Sequence, residues 1–431
     1  MIETLRNAWK IEDLRKKLIY TMLILLVVRI GSAIPVPFID PSYLQGLVSQ
    51  GGNLLGYLDM LTGGAFSNAT LFALSISPYI TASIVIQLLT VAIPALERMA
   101  KEGPEGQERL KKITRYTTVA LSVLQSAAFY TMFRNTPGAM TYTSGASGAL
   151  AAVTIIGAFT AGAMLVVWLG ERIDEKGIGN GISLILFAGI VSRVPSSVLR
   201  LGSEMFKTGG IMWLWVPLTG IVFLLEIAFI VLMNNAERRI PVQYAKRVVG
   251  RKMYGGQSSF MPIKVNMSGV LPVIFASTFL AIPGTIGGFL NLNPVEHPKL
   301  TFFFSMFSYN SVLYAVLYFL LIIGFNYFYI AIQYNPIEMA NNLRKNNGAI
   351  PGIRPGKPTS DFITKVISKI TLVGALMLAA IAILPILITA VTGMNVALGG
   401  TSVIILVGVA LDTVRSLESQ MMMRHYKGFL E

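Results

Sequence analysis

The sequence predicts an all-α polytopic membrane protein with ten transmembrane helices, and three observations support that class. Of its 431 residues, 54% are hydrophobic and 13% charged, and the mean hydropathy is +0.64, a balance foreign to soluble domains. Ten apolar runs recur along the chain, most of them near the ~20 residues a helix needs to cross about 30 Å of hydrocarbon. Basic residues alternate by segment: with the N-terminus taken as cytoplasmic, 29 Lys and Arg fall on that side, 5 on the other, and Arg29 inside a run. Retention of basic residues near span ends produces this asymmetry, so both termini are expected inside. The net charge of +14 is then mostly topology.

Residues 1–17 are charged and amphipathic and lead straight into the first run, Leu18–Ile34, which reads as a retained span because no small-residue cleavage site intervenes. Leu71–Ile93, Thr117–Phe133, Ala149–Leu169 and Ile182–Val191 complete an N-terminal half over 18–194. An external connection at 195–210 leads to Ile211–Met233, Val265–Phe289, Ser311–Ile332, Ile370–Val391 and Ser402–Leu411, a second half over 211–414, followed by a tail at 415–431. The fifth and tenth runs are short. They are expected either to extend through their Gly-rich flanks or to lie beside water inside the bundle.

Five spans followed by five gives halves of opposite orientation, an inverted repeat of the kind that places a pathway at its interface. The second run points the same way. It is preceded by a Gly63-Gly64 joint and a Ser67-Asn68 break, and irregular backbone survives at membrane depth only where protein or a water-filled cavity surrounds it.

The residue inventory excludes most chemistry. The chain has no cysteine, and its two histidines, His297 and His425, sit in a loop and in the tail, so neither a metalloprotease helix nor a serine–histidine dyad can be assembled. Residues 145–148 (GASG) lack a base, and 352–357 (GIRPGK) lack the spacing of a phosphate-binding loop. No enzyme, cofactor or metal is expected. The remaining alternative is an ion-coupled secondary transporter of a small solute, which needs intramembrane ionisable groups; only Arg29 and Glu226 are candidates.

Several long strings are more specific: RIGSAIPVP (Arg29–Pro37), LDMLTGGAFSNATLFALSISPYITASIVIQLL (Leu58–Leu89), WLGERIDEKGIGNGISLILFAGI (Trp168–Ile190), ERRIPVQYAKR (Glu237–Arg247), PIKVNMSGVLPVIFAS (Pro262–Ser277), NPIEMANNLRKNNGAIPGIRPGKPT (Asn335–Thr359) and ITLVGAL (Ile370–Leu376). In this order, and nearly end to end, the chain resembles the SecY family, the central subunits of bacterial protein-conducting channels. The resemblance implies an hourglass pore whose halves close like a clamshell around a ring of aliphatic side chains, here Ile76, Ile80, Ile182, Leu186, Ile274 and Ile405. Such a ring gives a sliding polypeptide no fixed polar partner, and a dewetted neck resists ions. By periodicity alone the same residues fit core packing.

The resemblance also implies a plug over 54–67, with Leu54, Leu55, Leu58, Met60 and Leu61 as its apolar residues and Gly63 and Gly64 as a joint, since glycine admits dihedrals other residues resist. A re-entrant cap fits the same stretch. A lateral gate between the second and third spans and the seventh and eighth follows from the same resemblance. Ser83, Gln87, Gln125 and Asn266 lie near that seam, as gate contacts or as helix–helix glue. Interhelical hydrogen bonds in membranes are worth only about 1 kcal/mol, weak enough for a gate that opens.

Two cytoplasmic connections are longer than linking spans requires. In 234–264, Ile240, Val242 and Tyr244 alternate as in a strand, beside Arg238, Arg239, Lys246, Arg247, Arg251 and Lys252. In 335–365, Arg354 sits in a Pro/Gly-rich turn that restricts its backbone. Positive-inside topology explains the charge; it does not explain the loop length. The resemblance implies docking of the ribosome, through ribosomal RNA phosphates, and of the motor ATPase SecA. It further implies SecE and SecG as subunits, signal sequences and unfolded preproteins as clients, and membrane lipids at the gate. The expected function is passive translocation across, and lateral insertion into, the bacterial plasma membrane.

Overall fold

The computed structural model describes the whole chain except residues 1, 50–58, 61, 137, 209–211, 245–246, 250–251, 255–257, 291–297, 308–310, 393–399 and 428–431. An amphipathic helix α1 (Ile2–Lys10) turns at Ile11 into α2 (Glu12–Gly31), whose first-turn Glu12 and Asp13 suit the positive end of the helix dipole. Then come α3 (Pro41–Ser49), an irregular stretch, α4 (Ser77–Ala92), α5 (Pro94–Lys101), α6 (Pro104–Asn135), α7 (Gly145–Lys176) and α8 (Gly181–Thr208). The second half holds α9 (Met212–Asn235), α10 (Leu271–Leu290), α11 (Pro298–Ser305), α12 (Val312–Gln333), α13 (Pro336–Lys345), α14 (Lys357–Thr392) and α15 (Gly400–Lys427). Pro78, Pro94, Pro104 and Pro336 each stand in the first turn of a helix, where the missing N–H would have had no partner anyway.

Each apolar run of the sequence falls on a helix. Among the described residues, 6 helices (α7, α8, α9, α12 continuing into α13, α14 and α15) are individually long and apolar enough to cross a membrane, and α4 with α5 qualifies as a pair bent by 102°. The short fifth and tenth runs extend through their flanks, into α8 and α15. Because α8 runs on past Pro195 to Thr208, most of the expected external connection is helical. α6 is less apolar because Thr114, Thr118, Ser122 and Ser126 form a buried hydroxyl stripe at four-residue spacing. Thr118 and Ser126 donate to the carbonyls of Thr114 and Ser122, both at 2.7 Å, the local back-bonding that lets a hydroxyl live inside an apolar bundle.

The second run departs most from a regular span. A helix was expected from Leu71, yet α4 starts at Ser77. Ala69 and Ser75 both have φ of 47°, and Gly63 and Gly64 have 66° and 91°, a left-handed conformation that stops helix propagation. The freed backbone groups bond sideways instead: Val36 N–H to the Ala69 carbonyl and Leu71 N–H to the Ile34 carbonyl, both at 2.9 Å. Two glycines let this stretch nestle against its neighbours. A Cβ on Gly31 would lie 2.0 Å from the Phe72 ring, and one on Gly162 of α7 would lie 1.9 Å from the Leu71 carbonyl.

Each half has a core of its own. Phe66, Phe129, Phe133 and Phe159 centre an N-terminal core, and Ile230, Tyr318, Ile322 and Leu378 a C-terminal one. Between halves, α8 meets α9 and α15 on one side, and α6 meets α10 on the other. Outside the bundle, β1 (Glu237–Tyr244) pairs antiparallel with β4 (Ser258–Lys264), and β5 (Gly348–Ala349) adds to β1, giving the sheet order β4-β1-β5. A small ribbon of β2 (Arg247–Val249) and β3 (Lys252–Tyr254) continues the hairpin. Ile240 and Val242 turn inward, as their alternation predicts, whereas Tyr244 at the strand end is exposed.

Gly162→Val should lower the thermal unfolding midpoint in detergent, since overpacking a close backbone approach costs about 1–3 kcal/mol. Gly157→Ala, whose Cβ would meet nothing within 4 Å, should leave the midpoint unchanged or slightly raised.

Candidate functional site

Four helix segments bring the expected ring together. Ile76 immediately precedes α4 and Ile80 follows one turn later; Ile182 and Leu186 lie one turn apart at the start of α8. That start is built locally: Asp174 accepts the Gly181 N–H at 2.7 Å and Asn180 accepts the Ser183 N–H at 3.0 Å. A Cβ on Gly181 would lie 2.1 Å from the Gly170 carbonyl, so only glycine lets α8 begin so close to α7. Ile274 of α10 and Ile405 of α15 complete the set. All six fall in one apolar cluster that also includes Ile190 and Val409; Ile76 is 0% and Ile405 1% exposed, while Ile80 and Ile182 are half-buried against the rest.

On the sheet side of this cluster lies a cavity of about 490 Å³ that reaches from Lys264 at the end of β4 to Leu186, Ile274 and Ile405. Its wall is mixed: Asn180, Asn234, Asn266, Asp412 and Arg415 stand among apolar residues such as Ile263, Val270, Leu271 and Ile367. Along α15 the order is therefore Arg415 and Asp412 in the cavity, Ile405 at the cluster and Ser402 beyond it. At Ser402 the hydroxyl donates to the Met60 sulfur at 3.1 Å, and Met60 itself joins the apolar cluster. α8 runs in the same sense, from Ser183 in the cavity through Leu186 to Arg193.

Beyond the neck, Asp59 is buried and forms an ion pair with Arg193. The same carboxylate accepts the Ser67 N–H at 2.7 Å, and Arg193 also donates to the Ser67 hydroxyl at 3.1 Å. The Gly63 carbonyl accepts from Arg29 at 3.4 Å. Of the expected plug residues, Met60, Gly63 and Gly64 occupy this place; Leu54, Leu55, Leu58 and Leu61 lie outside the described residues. Sequence reasoning missed Asp59 and Arg193. The signal was there, an acid within the plug stretch and one of few basic residues on the sparse side.

The expected gate residues are only partly brought together. Gln87 of α4 donates to Ser83 one turn earlier at 3.5 Å, and Gln125 of α6 has a buried Oε1 without a partner among the described residues. Asn266 bonds within the second half: its amide donates to Asn234 at 2.8 Å, next to Ser268, which donates to Asn326 of α12 at 2.6 Å. Asn326 reaches on to the Thr371 carbonyl of α14 at 3.5 Å, and Arg415 donates to the Asn234 carbonyl at 2.7 Å. This network was not foreseen, although Asn326 stands out as an amide in the middle of an apolar run.

The two large connections form one surface, because Gln243 and Tyr244 of β1 pair with Ala349 and Gly348 of β5. Arg238 is exposed, whereas Arg239 lies 4.8 Å over the Phe260 ring and donates to Glu237 at 2.7 Å. Arg354 is exposed on a turn framed by Gly352 and Gly356, with φ of 80° and 103°, and the Thr359 hydroxyl ties down its carbonyl at 2.8 Å. Arg247 and Lys252 lie on β2 and β3; Lys246 and Arg251 lie outside the described residues. The ionisable candidates for a transporter are not joined: Arg29 turns to Gly63, and Glu226 of α9 has a buried Oε1 without a partner among the described residues.

Comparison with known proteins identifies the family and the fold. The SecY family model matches residues 70–414. The protein translocase subunit SecY of Streptomyces galbus is 41% identical over 452 residues, covering 100% of both chains. A solved protein-conducting channel superposes with a TM-score of 0.68 at 18% identity, over 94% of this chain and 92% of the other. Sec61 in the canine ribosome–channel complex from the endoplasmic reticulum gives 0.64 at 17% identity, over the same 94% and 92%. Six aliphatic residues from both halves thus meet in one cluster, with a cavity on one side and a buried ion pair on the other, and the chain belongs to the SecY family of protein translocase subunits.

Proposed function

We propose that Ile76, Ile80, Ile182, Leu186, Ile274 and Ile405 form the constriction through which an unfolded preprotein slides, with the stretch 54–67 as its plug. The observation that carries this reading is the convergence of these six residues, from both halves, in one apolar cluster at the end of a cavity lined by polar and apolar residues alike. An apolar ring holds no fixed partner for the backbone passing through it, and it excludes hydrated ions when empty. The seam between α6 and α10 serves as the lateral exit to lipid for signal sequences and membrane segments, and Ser83, Gln87 and Gln125 stand on its first-half side. Asn266 fixes the start of α10 to its own half, so that the gate parts between bodies and not within one.

The joined sheet and the Arg354 turn dock the partners that push. A ribosome engages the basic hairpin (Arg238, Arg239, Lys246, Arg247, Arg251, Lys252) through RNA phosphates, for which exposed cations suffice. SecA engages Arg354, whose guanidinium is suited to a bidentate carboxylate contact. Solved relatives include a ribosome-bound channel, which supports the first of these. SecE and SecG complete the complex, in a bacterial plasma membrane with both termini in the cytoplasm.

Combined Ile80→Gly and Ile274→Gly should raise the small-ion leak of resting vesicles about tenfold or more, as expected when a dewetted neck becomes wettable; an unchanged leak would return these residues to core packing. Arg354→Glu should abolish SecA-driven import of a precursor into vesicles while leaving ribosome binding within about twofold, because the change places like charges at one contact only. Normal import would refute the docking role.

A further inference from the structure

We infer that Asp59 and Arg193 form an electrostatic latch that holds the plug stretch against the neck in the resting channel. This inference rests on the plug reading above. The Asp59 side chain is 7% exposed and that of Arg193 30%, and both Asp59 oxygens are engaged, one by Arg193 and the other by the Ser67 N–H at 2.7 Å. The pair joins segments 134 positions apart in sequence, the irregular chain before α4 and the middle of α8. Removing one partner of such a pair strands the other charge in a poorly solvated place, which is why broken buried pairs are costly where intact ones are near neutral.

The Gly63-Gly64 joint has a second purpose in this arrangement. At Gly64 an added Cβ would lie 2.9 Å from the Arg193 guanidinium carbon; at Gly63 it would lie 2.6 Å from Arg29 Nη1 and 2.8 Å from the Gly189 carbonyl. Both residues have positive φ, 66° and 91°. The two glycines let the backbone pass directly beneath two guanidinium groups, so the joint seats the latch as well as bending. Arg29 has no carboxylate partner among the described residues, and it lies against Gly63 as Arg193 lies against Gly64, so two like charges flank one short turn. Asp59 therefore neutralises one member of a cation pair. Withdrawing the plug leaves Arg193 without its carboxylate, and the resting state is favoured by that difference.

The test is the small-ion leak of vesicles carrying the whole channel complex at rest. Asp59→Asn and Arg193→Met should each raise the leak about tenfold, the scale expected when one charge of a partly buried pair is lost. Gly64→Ala should do the same by displacing Arg193. The double reversal Asp59→Lys with Arg193→Glu should bring the leak back to within about threefold of the unmodified channel, a rescue that general loosening cannot produce. Thermal unfolding in detergent identifies any single variant that fails to fold, and the double reversal compared with the remaining single variant then decides. Single variants as tight as the unmodified channel, or a double reversal as leaky as the singles, would overturn the latch. If the neck variants leak while Asp59→Asn stays tight, only the latch fails; if neither leaks, the neck and plug reading fails with it.

Discussion

A backbone that leaves the helix at membrane depth must find partners for its amide groups inside the protein, because lipid offers none. That constraint shapes the region around Thr62–Ile76. Here the chain runs irregularly where a helix would be the default, and it does so against Gly31 and Gly162, bonded to the Ile34–Val36 backbone and to its own side chains. Only a bundle that surrounds the stretch can support it. Its irregularity places Ile76 at the mouth of α4 and Met60 against α15, so the aliphatic cluster and the stretch beside it share one set of supports.

Two kinds of cohesion divide the molecule. Within the second half, Asn234, Asn266, Ser268, Asn326 and Arg415 join α9, α12, α14, α15 and the segment leading into α10 through polar contacts. Each such bond is worth only about 1 kcal/mol in a membrane, but a chain of them touching four helices and the approach to a fifth keeps these elements together. Between halves α8 meets α9 and α15, α1 meets α15, and α6 meets α10, with the six-residue aliphatic cluster shared by both. The contrast is between a polar network inside one half and an aliphatic cluster common to the two.

Much of this was legible in the sequence, because the signals were long. Apolar runs and the family strings placed the helices, the six aliphatic residues expected to form a ring do fall in one cluster, and the strand alternation of Ile240 and Val242 appears in β1. What sequence could not supply were features set by distant partners. The start of α4 depends on left-handed Ala69 and Ser75, and neither residue announces such a conformation. Asn266 sat near the expected seam by position, yet its amide is claimed by Asn234, 32 residues earlier. The Asp59–Arg193 pair links segments whose proximity only the fold creates.

The small strand β5 carries a mechanical consequence. Its pairing with β1 ties the turn that bears Arg354 to the hairpin emerging from α9 and re-entering at α10. Two loops far apart in sequence are thereby one mechanical body: a displacement of the Arg354 turn is handed through β1 and β4 to the chain that enters α10.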